Sequence, residues 1–444
     1  MSNIIEKIAA AGVVGCGGAG YPAHGKLKGT FDFFIINGAE CEPLLRTDRY
    51  LMLNKAREIV SAAKEIKEEM NIPRCIIALK DHYSEEISAL EAAIQEMSAP
   101  IEIFKLGSFY PAGDKQVIVY EVTGIVIPPA GSTGASGVLL YNVGTVYEIY
   151  HALKNRPFIY KYLTITGEVK NPIILKVPIG TSIRECIEMA GGTTISDYRI
   201  VSGGPMMGKP SSEDMPVTKT TSGILVLPDN SKTLSYGSVD VRHMLNRAKS
   251  SCIQCSYCTQ LCPRHLLGHP IEPHRIMRKL ANNSDISTMI DDPIIQAASL
   301  CCDCGICEIY ACPMGLQPRR INALVRTELK KVGFRYKADE KKYEPLPDRN
   351  ERRAPTSKVA ARADVWKYND FVIRKLLVAN PSRVEIPLKM HSGPPASPIV
   401  SAGDEVKVGD LIAKSTDGVG VCIHASINGR IESVSDRIVI IGME

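Results

Sequence analysis

The chain has 444 residues, too many for one compact core, and this length predicts about three or four domains. Its 45% hydrophobic and 23% charged residues are those of a soluble globular protein. The net charge of +5 is not gathered into a basic stripe with interleaved aromatics, so nucleic acid is not an expected partner.

Glu6 and Lys7 interrupt the apolar pattern of residues 1–11, so no secretory signal is expected there. No run approaches the ~18 apolar residues of a membrane span. Ile4, Ile5 and Ile8 predict a short amphipathic helix, followed by Gly15-Cys16-Gly17-Gly18-Ala19-Gly20. The loop formally matches G-x-G-x-x-G, yet a dinucleotide fingerprint needs a strand before it and a helix after it. Taken alone it reads equally as a tight turn or as backbone opened for a phosphate or a flat ring. From Phe31 to Leu106 apolar strands alternate with amphipathic helices. The strands are Phe33–Asn37, Cys75–Leu79 and Ile101–Phe104; the helices run from Arg49 to Met70 and from a Ser84 cap to about Met97. That rhythm predicts a parallel, doubly wound sheet. Tyr162 to Ile174 alternates apolar and polar residues around Gly167, Asn171 and Pro172, a hairpin, and a short helix from Thr181 ends at Gly191-Gly192. A small β-grasp-like unit fits, reaching about Leu227, with Met206-Met207 in its core.

Nine of the fourteen cysteines lie between Cys252 and Cys312, a clustering that points to metal in a reducing, cytoplasmic setting rather than to disulfides. The first run is Cys252-x2-Cys255-x2-Cys258-x3-Cys262-Pro263, and the second is Cys301-x2-Cys304-x2-Cys307-x4-Cys312-Pro313. Three thiolates at i, i+3 and i+6 wrap one cubane, and the Cys before Pro ligates the other cluster, as in two-cluster bacterial ferredoxins. The spacing therefore predicts one [4Fe–4S] cluster on Cys252, Cys255, Cys258 and Cys312, and another on Cys301, Cys304, Cys307 and Cys262. A structural zinc site would leave the third Cys of each run without a role. Cys302 is out of phase and reads as a spare buried thiol, while Cys16 and Cys41 read as packing residues. His265, His269 and His274 are either loop residues or ligands for a metal or a corrin cobalt; no Asp-x-His-x-x-Gly cobalamin motif occurs. Residues 330–362 are charged and Pro-containing, a linker or a surface-wrapping segment. The last seventy residues are β in pattern. Gly403–Asp410 and Ala425–Ile431 resemble the halves of a lipoyl-type barrel-sandwich, but Thr416-Asp417-Gly418 stands where that family carries its modified Lys. A packing or docking module is expected.

Four segments together carry a resemblance. Gly15 to Lys26, Asn37-Gly38-Ala39-Glu40-Cys41-Glu42-Pro43, Tyr110-Pro111-Ala112-Gly113-Asp114-Lys115-Gln116 and Asn142-Val143-Gly144-Thr145 resemble the flavin- and NADH-binding subunit of respiratory NADH dehydrogenase and its Rnf-C relatives in Rnf-type electron-transport complexes. The resemblance implies that Gly15, Gly17, Gly18, Gly20, Lys26, Asn37, Glu40, Tyr110, Gly113, Asn142 and Thr145 line FMN. It also implies that Tyr21 and Glu42 hold NADH. The respiratory subunit has two adjacent Glu where this chain has Asp114-Lys115. Residues 162–192 and Gly203–Gly208 resemble the SLBB domain of the same family. The expected organisation is multidomain α/β: a Rossmann-like FMN/NADH domain (1–155), an SLBB β-grasp domain (156–230), a two-cluster ferredoxin-like helical domain (240–328), a linker (329–375) and an unmodified barrel-sandwich domain (376–444).

Rnf-C proteins carry the barrel-sandwich module at the amino terminus and often a long tail; this chain has the module at its other end and no such tail. In both traits it resembles the cobalamin reductases of propanediol-utilisation microcompartments. That family implies electrons passing from NADH through FMN and two [4Fe–4S] clusters to cobalamin, for coenzyme B12 recycling. It further implies a bacterial microcompartment, with a cobalamin adenosyltransferase and shell proteins as partners. The competing expectations are an Rnf-C component of an Rnf-type complex and a non-catalytic electron-relay subunit.

Overall fold

The computed structural model describes residues 3–234, 239–283, 285–370, 375–415 and 420–443. A four-stranded parallel sheet stands near the amino end, ordered 101–106, 74–80, 33–38, 138–142. Phe34-Ile35-Ile36 and Cys75 to Leu79 are buried without alternation, because helices cover both faces. The chain steps outward from Phe33–Gly38 through two strands and then returns to the other flank of Phe33–Gly38 with Val138–Asn142. That return creates a topological switch point, where open α/β sheets bind ligands beyond the strand carboxyl ends. Asn37 and Asn142 are register partners at that crevice.

The helix expected over Arg49–Met70 is two helices, Thr47–Asn54 and Ala56–Glu69, broken at Lys55. Asn54 turns its side-chain amide onto the Tyr50 carbonyl at 2.9 Å, the local competition that makes Asn a poor helix continuer. Ser84 is the first residue of its helix rather than its cap; Tyr83 occupies the cap position and makes no side-chain capping bond.

The β-grasp unit forms a six-stranded sheet that includes the antiparallel hairpin Tyr160–Gly167 and Ile173–Pro178. Ser182 and Glu185 form a reciprocal capping box on the helix Ile183–Met189. Leu376–Val378 adds a parallel edge strand to this sheet, against Ile174–Lys176. Met206 is buried, but in an apolar cluster shared with Tyr110, Cys304 and Val359 rather than with the Leu163–Val226 core of the unit, and Met207 is exposed, since it stands on the turn beside the sheet.

Short helices surround the cysteine runs and pack on an apolar core that includes Met244, Ile276, Leu280, Ile321 and Val325. The charged segment after residue 330 wraps the surface. Ala354-Pro355 pairs with Phe109-Tyr110, Arg349 and Arg353 both bond Glu121, and the helix Thr356–Arg362 buries Val359 and Ala360. The carboxyl-terminal module is two small antiparallel sheets. The Thr416-Asp417-Gly418 turn lies outside the described residues. No helix among the described residues is long and apolar enough to cross a membrane.

Candidate functional site

The glycine loop leaves the helix Asn3–Ala10 and lies over the switch-point crevice. The Cys16 backbone N–H donates to Thr145 Oγ1 at 2.9 Å, and a Cβ on Gly17 would meet the Asn142 side chain at 3.0 Å. The first and fourth motifs are therefore in contact across 129 residues of chain. Asn142 caps the helix Val143–Leu153 through Gly144 N–H at 2.8 Å and donates to Asp48 at 2.6 Å. Asn37 accepts from Ala39 N–H at 3.1 Å and donates to the Gly113 carbonyl at 2.9 Å, which joins the second motif to the third. A Cβ on Gly18 would meet nothing within 4 Å, and Gly17, Gly18 and Ala19 are exposed. The crevice mouth thus offers bare backbone and free volume, which fits a flat ring with an attached phosphate.

Three groups set the charge here. Lys26 donates to the Leu140 carbonyl at 3.0 Å, and burial beside Lys115 pulls its ammonium down to about 8. Glu40, at φ 36°, accepts from Asp48 N–H at 2.5 Å; burial and the Asp48 carboxyl push it up to about 8, and burial lifts Asp48 to about 6. Two raised carboxyls side by side share protons more readily than they carry two charges. Burial pushes the Cys41 thiol up to about 12, in keeping with a packing role.

The loop is braced from behind by distant segments. Lys219, buried in the β-grasp unit, donates to the Gly12 carbonyl at 2.7 Å and the Cys422 carbonyl at 3.1 Å. Ser392 of the carboxyl-terminal module donates its hydroxyl to Ala19 O at 2.7 Å and its N–H to Gly20 O at 3.1 Å. No sequence signal marks these contacts, because they join segments about two hundred to almost four hundred residues apart.

Tyr21 is 42% exposed, with its ring against Gly25. Glu42 faces elsewhere: its carboxylate accepts from Met206 N–H at 2.9 Å and from the Tyr110 hydroxyl at 3.4 Å, and burial raises it to about 7. A Cβ on Gly204 would collide with it. Asp114 also has structural partners. One oxygen caps the helix Lys115–Thr123, and the other pairs with Arg264 at 2.8 Å.

The cysteines gather into two groups. Cys252, Cys255, Cys258 and Cys312 line one cavity, together with His274; Cys262, Cys301, Cys304 and Cys307 line a second, with Cys302 on the same wall. Each cavity takes its fourth cysteine from the other run. The donor set is all thiol and arranged around a hollow, which fits an iron–sulfur cluster; among the described residues no His, Cys, Asp or Glu group converges as one metal ion requires. His269 is committed to the Ile127 carbonyl at 2.9 Å, His274 pairs with Thr259 at 2.7 Å, and the buried His265 Nδ1 has no hydrogen-bond partner among the described residues. The two sites adjoin at Tyr110, whose hydroxyl donates to the Cys304 carbonyl at 2.8 Å.

Known proteins share this arrangement. The Nuo51 FMN-binding domain matches residues 8–151, the SLBB domain 162–210, the 4Fe-4S dicluster domain 251–317 and the RnfC barrel sandwich hybrid domain 369–444. A component of the Na(+)-translocating ferredoxin:NAD(+) oxidoreductase complex of Acetobacterium woodii is 34% identical over 59% of this chain and 58% of its own length. The crystal structure of an NAD+-reducing [NiFe]-hydrogenase in the H2-reduced state shares the fold, with a TM-score of 0.50 at 18% identity over 74% of this chain and 62% of that one. Cobalamin reductase PduS of Citrobacter freundii is 37% identical, and that of Salmonella typhimurium 36%, each over 98% of this chain and 95% of its own. A flavin-domain crevice backing onto paired cysteine cavities is the layout of a flavo-iron–sulfur oxidoreductase, and the chain belongs to the PduS cobalamin reductase family.

Proposed function

We propose that this chain takes electrons from NADH at an FMN held by the glycine loop and delivers them, through two [4Fe–4S] clusters, to a cobalamin. One NADH gives NAD+, a proton and two electrons, which take one Co(III) or two Co(II) to Co(I). The flavin would supply the exchange between a two-electron donor and one-electron carriers. The observation that carries this reading is Tyr110: one residue belongs to the flavin-site segments and also bonds the backbone of Cys304.

Each residue has a task in this scheme. Gly17 and Gly18 present backbone to the ligand, Gly15 and Gly20 close the ends of the loop through Tyr21 and Ser392, and Asn37, Gly113, Asn142 and Thr145 fix the crevice. Lys26 places a cation beside the anionic ligand, and Glu40 stays protonated near neutrality, so it does not repel that ligand. Exposed Tyr21 leaves an aromatic face for nicotinamide or adenine stacking. Cys252, Cys255, Cys258 and Cys312 would hold the outer cluster, and Cys262, Cys301, Cys304 and Cys307 the inner one, nearer the flavin. The cobalamin acceptor is supported by two relatives of near-full coverage, and it carries the setting with it: coenzyme B12 recycling for propanediol utilisation, beside an adenosyltransferase and microcompartment shell proteins.

The test is anaerobic. Reconstituted protein, NADH and hydroxocobalamin should yield cob(I)alamin, trapped by an alkylating agent. Rapid dye reduction that leaves cobalamin at Co(II) would transfer the case to an Rnf-type component; absence of flavin from purified protein would transfer it to a relay.

A further inference from the structure

The outer group of cysteines lies beside an open cleft of about 540 Å³. One wall of the cleft comes from the cluster segments themselves. Tyr257 stands between Cys255 and Cys258 and is 49% exposed; Tyr310 and Pro313 flank Cys312. The other wall comes from the wrapping segment: Arg352, then Lys358 and Arg362, which sit one turn apart on the helix Thr356–Arg362. Arg352 is neutralised by Asp348 at 3.1 Å, but among the described residues neither Lys358 nor Arg362 pairs with a carboxylate. An aromatic wall faces two uncompensated cations across a space within the range of small-molecule sites.

We propose that this cleft is where the electron acceptor docks, and that its occupant is a ring-bearing small molecule with a phosphodiester, the chemistry of cobalamin. Tyr257 and Tyr310 give the ring an apolar surface. Lys358 and Arg362 meet the phosphodiester. The seat adjoins the outer cysteine group through Tyr257, next to Cys258, and through Ala311 and Pro313, which flank Cys312, so an acceptor there lies against backbone of the outer cluster's own segments. The helix 356–362 thereby has a role that its place in a charged connecting segment does not suggest. This inference rests on the cobalamin reading of the function, and the test separates the two.

The test uses full-length, reconstituted protein and measures equilibrium binding of hydroxocobalamin and of dicyanocobinamide, which lacks the nucleotide loop and its phosphate. Wild type should bind hydroxocobalamin at least tenfold more tightly than the cobinamide. Lys358→Glu with Arg362→Glu changes two exposed side chains, and flavin and iron contents check its folding. The double variant should lose at least tenfold in cobalamin affinity while cobinamide binding moves little. Tyr257→Phe should keep both affinities and Tyr257→Ala should weaken both. If wild type reduces cobalamin and the double variant binds it as well as wild type does, the cleft assignment falls and the function stands. If wild type neither binds nor reduces cobalamin, both fall. Loss of binding to an acidic redox protein, with cobalamin binding unchanged, would reassign the cleft to a protein partner.

Discussion

Gly18 shows how one missing side chain serves a site. Its Cβ position is open for 4 Å, so a Val there fits the protein but occupies volume and shields the backbone that a ligand would approach. Gly18→Val should abolish flavin retention and leave iron content near that of wild type; full flavin occupancy in the variant would mark the loop as a turn. Cys258→Ala removes one thiol of the outer group and should lower iron and acid-labile sulfide from about eight of each per chain towards about four. Stoichiometric zinc without sulfide in the parent protein would refute the cluster assignment altogether. Glu40 gives a pH dependence. Its folded value, about 8, lies above its unfolded one, so its contribution is fully present below the unfolded value and is lost as pH rises through about 8. Asp48, raised to about 6, acts in the same direction at lower pH. Melting temperature should therefore fall by a few degrees between pH 6 and 9, and Glu40→Gln, which keeps an acceptor but no charge, should flatten that slope. A wild-type curve that rises over this range would contradict the assignment.

At the scale of elements, local chemistry and long-range contact leave different marks in a sequence. The capping box Ser182/Glu185 and the hairpin around Asn171-Pro172 are written within a few residues of themselves, and both form as expected. Ser182→Ala removes the bond that its hydroxyl accepts from Glu185 N–H and the one that it donates to the Glu185 carboxylate, and should destabilise the protein by about 1 kcal/mol; Ser182→Asp should recover most of that. Equal stability of the Ala variant and wild type would mean that the helix Ile183–Met189 is held by packing alone. The parallel sheet is legible in outline through its apolar runs. The strand Val138–Asn142 does not stand apart from the motif that ends it, and continuous helical periodicity hides the break at Lys55 between two helices that both pack on the helices Ser84–Glu96 and Val143–Leu153. The two cysteine groupings follow from spacing that iron–sulfur chemistry restricts strongly. The bracing of the glycine loop by Lys219 and Ser392 has no local signature, since a buried Lys and a loop Ser look ordinary until the chain is folded.

At the scale of the whole molecule, the flavin and cluster regions are joined by a shared core and by one buried ion pair. Leu44 and Tyr110 from the flavin region, Met206 from the β-grasp unit, Cys304 and Ile309 from the cluster region, and Val359 from the wrapping segment form a single apolar cluster. Beside it, Arg264, two residues after Cys262, pairs with Asp114 at 2.8 Å, with side chains only 5% and 13% exposed. Gln116 accepts a further bond from the same guanidinium. The acidic position that the respiratory subunit fills with two Glu thus serves here as a helix cap and as a tie between regions. Asp114→Ala would leave a guanidinium buried without its counter-charge, a loss of about 3–5 kcal/mol, with about 1 kcal/mol more from the cap. Asp114→Asn keeps the cap but not the charge, so it should recover only the smaller part. Replacing both partners, as Asp114→Ala with Arg264→Met, should cost less than Asp114→Ala alone, because no buried charge remains unpaired. The readout is the anaerobic temperature of iron release together with the spectroscopic signal of each cluster. The cluster proposed on Cys262, Cys301, Cys304 and Cys307 should be lost first, since Arg264 anchors the turn that carries Cys262. If Asp114→Ala releases iron at the wild-type temperature, the ion pair does not hold the two regions together, and the shared apolar cluster alone sets the distance between flavin and iron.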